Sequence, residues 1–94
     1  MTFPCIVIQR HDVGLYEWTI FYGNMAALGE AGDNSIQDCL RDAALSLPEA
    51  EQAAEVRYRG VSMGTFKKVE LTKCPSEVAD YISEAYGALM QQIG

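Results

Sequence analysis

The chain is poor in the residues that enzymes and metalloproteins rely on. It has a single histidine, His11, and three cysteines, Cys5, Cys39 and Cys74, far apart and in no C-x-x-C pair. An odd number of scattered cysteines, without a compact framework, argues for reduced, intracellular thiols. The N-terminal stretch lacks a basic region, and its apolar run Cys5 to Ile8 is far too short for a signal segment or a membrane span. A cytoplasmic protein without membrane contact is expected.

Positive charge is scarce too. Seven Lys and Arg stand against 13 Asp and Glu, a formal charge of -6. Binding to nucleic acid is driven by cationic side chains displacing phosphate counterions, so direct nucleic-acid binding is not expected. The same field would steer the protein toward basic proteins, including those that themselves handle nucleic acid. A simpler account of the acidity is solubility.

What the chain does have is size and pattern. Its 94 residues, 49% of them hydrophobic and 10% aromatic, suit one globular domain spanning residues 1–94. The charges are sorted along the sequence. From Glu30 to Glu55 seven acids face one base, Arg41, and from Arg57 to Lys73 five bases face one acid, Glu70.

The apolar periodicity predicts an α+β domain of order ββ(β)αββα, with a mostly antiparallel sheet carrying two amphipathic helices. Residues 2–22 read as a hairpin turning near Val13-Gly14, with Ile6, Ile8 and Phe21 on one face and Val7, Trp18 and Ile20 on the other. A short third strand is expected around Met25 to Leu28. Asp33-Asn34-Ser35 then offers an N-cap, with Asp38 where the helix dipole favours acid. Ile36, Cys39, Leu40, Ala43, Ala44 and Leu47 recur on one helical face, and Gln37, Asp38, Arg41 and Asp42 fall opposite. Pro48 ends this helix or opens a short second one through Ala54. A second hairpin turning at Met63-Gly64 would pair Val56 with Leu71 and Tyr58 with Val69. A last helix is expected from Pro75 to Ile93, its stripe formed by Val78, Tyr81, Ile82, Ala85, Leu89 and Ile93, with Tyr86 and Met90 beside it. Gly87 in its middle implies a close packing contact.

Candidate chemistry is thin. His11 has no Ser or Cys motif that would make it a general base, and a solvated turn residue accounts for it. Cys5, Cys39, Cys74 and His11 match no zinc spacing, and Cys39 lies on the apolar helix face. Gly29-Glu30-Ala31-Gly32 lacks the lysine of a phosphate loop and carries an acid instead. No cofactor and no metal is expected.

Two surfaces remain as partner-binding candidates. One is acidic: Asp38, Asp42, Glu49, Glu51 and Glu55. The other is the tip of the second hairpin, where Arg59 and Lys68 would flank Val61 and Phe66 as a mixed apolar and cationic patch. Ordinary core packing of Val61 and Phe66 is the competing account.

Phe3-Pro4, the turn with Gly14 and Tyr16, and Gly32-Asp33-Asn34-Ser35 leading into Gln37-Asp38-Cys39-Leu40 and Ala43 resemble the HicB antitoxin family over residues 2–47. The resemblance implies an N-terminal hairpin, a third strand and a capped amphipathic helix in a non-catalytic protein that neutralises a toxin ribonuclease. The chain departs from the family pattern at Gly23-Asn24-Met25, where a Pro-Asp-Leu-Pro-Gly-like turn would stand. From Val56 onward the family offers no counterpart, and no DNA-binding appendage is recognisable. The element order also resembles a small type III secretion chaperone lacking its first helix, and the size and acidity resemble phage-borne inhibitors of CRISPR or restriction complexes.

The expectation is therefore a non-enzymatic protein that inhibits or sequesters a protein partner with a basic surface, of the anti-CRISPR, anti-restriction or antitoxin kind. A small acidic chaperone acting as a homodimer is the alternative, and an enzyme built around His11 is a third class.

Overall fold

The computed structural model describes residues 3–93. Thr2, at the expected start of the first hairpin, lies outside the described residues. The elements run β1 (Cys5–Asp12), β2 (Leu15–Tyr22), β3 (Met25–Asp33), α1 (Ile36–Leu45), β4 (Ala53–Tyr58), β5 (Val61–Lys67), α2 (Lys68–Lys73) and α3 (Pro75–Ile93). One sheet contains all five strands in the order β3-β2-β1-β4-β5. β1 and β4 run parallel, and every other neighbouring pair is antiparallel. The α+β class and the mostly antiparallel sheet agree with the sequence.

The helices cover one sheet face. Ile6 pairs with Ile20 and Ile8 with Trp18, and β4 adds Val56 and Tyr58 beside Ile6 and Ile8. These side chains are buried against α1, where Ile36, Cys39, Leu40, Ala43 and Ala44 are buried as the periodicity predicts, and Leu47, just past the helix end, is buried with them. Burying a side chain of the size of Leu40 contributes on the order of 2 kcal/mol. The small residues Ala43 and Ala44 allow α1 to approach the sheet closely.

The face assignment of the first hairpin needs correcting. Trp18 and Ile20 share a face with Ile6 and Ile8, and Phe21 pairs with Cys5 on the other side. A plain two-residue turn at Val13-Gly14 would have given the expected faces. His11 is an extra residue in β1, marked by the register shift between Arg10 and Asp12, and one extra residue exchanges the faces of a strand.

The second hairpin also differs. Its turn is Arg59-Gly60, where φ is 52° and 84°. Both central residues are left-handed, as the two-residue turn that matches strand twist requires, and glycine suits the second position. Met63 is not at the turn. It is an extra residue of β5, between Val56 opposite Gly64 and Arg57 opposite Ser62, and it is buried in the core. With the turn four residues earlier than expected, β5 runs out of partner at Lys67 opposite Ala53. The chain beyond it becomes α2 instead of strand. Glu70 Oε1 accepts from the Lys67 backbone N–H at 3.0 Å, which closes the first turn of α2, while Leu71 is buried and Val69 is exposed. The expected pairs Val56 with Leu71 and Tyr58 with Val69 therefore do not form.

Residues 46–52 form a turn and loop, not a second helix. α1 begins as expected: the Ser35 hydroxyl accepts from the Asp38 N–H at 3.1 Å. The third strand extends through Asp33, well past Leu28, with extra residues at Ala27 and Gly32. α3 spans its expected residues and lies on α1, α2 and β5, with Val78 and Ile82 buried.

Ser35→Ala removes the α1 cap and should lower the unfolding free energy by about 1 kcal/mol. Urea titration measures this, and an unchanged midpoint would show that the Ser35 hydroxyl does not hold the start of α1.

Candidate protein-binding surfaces

The acids expected to form one surface are divided between the two sides of the molecule. Asp38 and Asp42 lie on the outer side of α1, one turn apart. Arg41 bridges them, with Nη2 3.1 Å from Asp38 Oδ1 and Nε 3.9 Å from Asp42 Oδ1. Glu49 and Glu51 follow on the 46–52 loop. That loop is held by Glu51 N–H donating to Pro48 O at 3.0 Å and by Lys68 Nζ donating to Leu47 O at 3.1 Å. Glu55 is elsewhere. Its neighbours Ala54 and Val56 point into the core, so strand alternation turns Glu55 onto the open sheet face. There its Oε2 accepts from Arg57 Nε at 3.0 Å and from the Ser62 hydroxyl at 2.9 Å.

The acidic surface gains a member that sequence reasoning had assigned only to the helix cap. Asp33, the last residue of β3, is brought against α1 beside Cys39 and Asp42. One of its oxygens, Oδ2, is buried without a hydrogen-bond partner. Burial first, and then the adjoining Asp42 carboxyl and the Asp38 charge, hold the Asp33 carboxyl above the usual carboxylate range. The buried Cys39 thiol is pushed up to about 12, by burial and by the charges of Asp33, Asp42 and Asp38. Asp33, Asp38 and Asp42 thus crowd one region with Arg41 as the neighbouring cation. The available signal was Asn34-Ser35, the short connection that leads directly from the end of β3 into α1.

The second candidate surface does not assemble either. Arg59 is at the tip, but Phe66 lies at the far end of β5 and packs edge-on against Tyr81, ring centroids 6.1 Å apart. Val61 and Phe66 are half-buried against the core, so core packing accounts for them. Lys68 begins α2 and is engaged by the 46–52 loop. Arg59 instead places its guanidinium carbon 5.3 Å from the centre of the Tyr86 ring, and it shares a shallow depression with Arg10.

The sheet face away from the helices is open. Cys5, Val7 and Phe21 line a depression there, with Phe3 at its rim and the Glu55–Arg57 pair beside it. His11 is on a strand and not in a turn, its Nε2 2.6 Å from Glu17 Oε1. Cys5 is half-buried, Cys39 buried and Cys74 exposed between α2 and α3. Among the described residues no group of three or more His, Cys, Asp and Glu could hold a metal ion, and no helix is long and apolar enough to cross a membrane. Comparison of the chain with protein-family models, curated proteins and solved structures returned no match.

A carboxyl that binds its proton more tightly in the fold than in the unfolded chain lowers stability as pH rises above its ordinary value of 3.8. Asp33→Asn should therefore melt at a higher temperature than the wild type at neutral pH. The advantage should vanish in acid below that value. An advantage over the wild type that is no larger at neutral pH than in acid would contradict this account of Asp33.

Thiol labelling gives a second check. In the native protein Cys74 should react readily with a maleimide, whereas Cys39 should react only as the protein unfolds. Equal native-state rates at the two sites would show that α1 does not bury Cys39.

Proposed function

We propose that the protein is a non-enzymatic binder that inhibits or sequesters a basic protein, of the kind that processes nucleic acid. Its acidic surface on α1, Asp38 and Asp42 with Asp33 beside them, would occupy a partner site made for phosphates, and Glu49 and Glu51 would extend the contact.

The crowding at Asp33 carries this reading. Asp38 is accounted for locally, since an acid in the first turn suits the helix dipole. Asp33 is not, because burial first and then the nearby Asp42 carboxyl oppose its ionised form, and its Oδ2 has no hydrogen-bond partner. An acid that disfavours the fold where it stands is a candidate for a role in recognition. The strand, strand, strand, capped-helix order over residues 5–45 is also what the HicB resemblance implies, and an antitoxin is one form the proposed binder could take.

Capture of partners from the native host on immobilised protein, followed by mass spectrometry, tests the proposal. Reversing Asp42 and Glu51 to Lys moves the formal charge from -6 to -2. The double variant should keep its circular dichroism and lose the captured basic protein, and added salt should release that protein from the wild type. Capture indifferent to both the reversals and the salt would overturn the acidic-surface reading.

A further inference from the structure

We propose that the second half of α3, Tyr86 to Ile93, is the interface of a homodimer in which this segment packs antiparallel against its own copy. The inference is independent of the acidic-surface reading and concerns a different part of the molecule.

The intrachain packing of α3 stops partway. Its apolar stripe continues from Ile82 through Tyr86, Leu89 and Ile93 at helical spacing, yet Ile82 is the last fully buried residue. Tyr86 and Leu89 are half-buried, Met90 is 37% exposed and Ile93 is 72% exposed. Tyr86 meets the body of the protein through Tyr58, at 5.0 Å between ring centroids, and through Arg59. The remaining two turns leave an amphipathic helix whose apolar side is only partly covered, with Met90 and Ile93 exposed.

Charge narrows the choice of occupant. No charged side chain follows Glu84 as far as Ile93, although the chain carries -6 overall. A two-fold interface brings a patch against itself, so a charge near the axis meets its own copy. An uncharged apolar helix face is self-compatible in a protein whose copies otherwise repel. Past Arg59, which sits against Tyr86 at the near end, a charged partner would find nothing on this face to pair with.

Gly87 adds a second reason. Glycine inside a helix is unfavourable relative to alanine. The sequence led us to expect a close contact within the chain, but a Cβ built at Gly87 meets nothing within 4 Å. The isolated subunit therefore gives no reason for glycine here. A second helix crossing close to Gly87, beside Met90 on the next turn, supplies one. The exposed edge of β3 is a poorer place for a copy, since the extra residues Ala27 and Gly32 interrupt its ladder and Glu30 lies between them.

Sedimentation equilibrium of the full chain at micromolar and higher concentrations tests the proposal. The wild type should be a dimer, and Met90→Lys with Ile93→Lys should be a monomer with unchanged circular dichroism. Gly87→Ala separates interface from fold. In dilute solution, where the monomer prevails, it should raise the melting temperature, because alanine favours the helix and the site has room. Its dimer dissociation constant should rise by roughly tenfold or more, because the added methyl holds the helices apart. A wild type that stays monomeric throughout the range, a dimer that survives the double Lys variant, or a Gly87→Ala dimer as tight as the wild type would each overturn the proposal. So would a monomeric wild type that binds a different protein through Ile93.

Discussion

The contact on which the other features depend is the seating of α1 on Ile6, Ile8, Trp18 and Ile20. Cys39, Leu40, Ala43 and Ala44 leave no solvent in that layer, and a sheet can offer such a layer only if its strands agree on which alternate residues face the helix. Once Ile6 and Ile8 point inward, Cys5 and Val7 must point outward. The pairings of β2 and β4 then carry Phe21, Glu55 and Arg57 outward with them. The open sheet face is therefore a consequence of the core, and so is the separation of Glu55 from the acids of α1. Removing the apolar layer would dissolve both surfaces together.

Much of the fold was legible in the sequence wherever a signal repeated over several turns. The stripe from Ile36 to Leu47, the cap at Ser35 and the start of α3 at Pro75 each rest on more than one mutually supporting residue, and each is found as expected. What escaped was decided by single residues. His11 in β1 and Met63 in β5 are one-residue insertions in their ladders. Alternation read along one strand cannot reveal an extra residue, because it shows only against the partner. The second hairpin held two glycines, Gly60 and Gly64, each able to take the left-handed position of a turn. A turn at the later one lengthens the hairpin and makes strand of the residues that form α2. Leu71 is buried either way, and burial of one residue does not distinguish helix from strand.

The candidate surfaces were less legible, because charges sorted along a chain are not thereby sorted in space. The boundary between the acidic and basic stretches falls inside β4, where Glu55 and Arg57 are two residues apart on one face and close as an ion pair. Such an exposed pair adds little stability because solvent screens it, but it withdraws both residues from any single-sign patch. Lys68 is engaged in a similar way, its ammonium turned toward the carbonyls of Leu47 and Pro48. The acids of α1 survive this sorting because Asp38 and Asp42 share the one cation of Arg41, and because the end of β3 adds Asp33 to them.

These two outcomes bear on each other. The uncharged end of α3 and the acidic side of α1 belong to different elements and differ in kind: one is apolar and self-compatible, the other is charged and repels itself. A homodimer built on the first would leave the second in solution and would double the acidic surface offered to a basic partner. Two such surfaces on one particle raise the effective concentration of the second contact wherever the partner repeats its basic site. The dimer would then strengthen capture without any new contact residue, and Asp33 could keep an unfavourable carboxyl because the fold's stability is secured elsewhere, in the layer beneath α1.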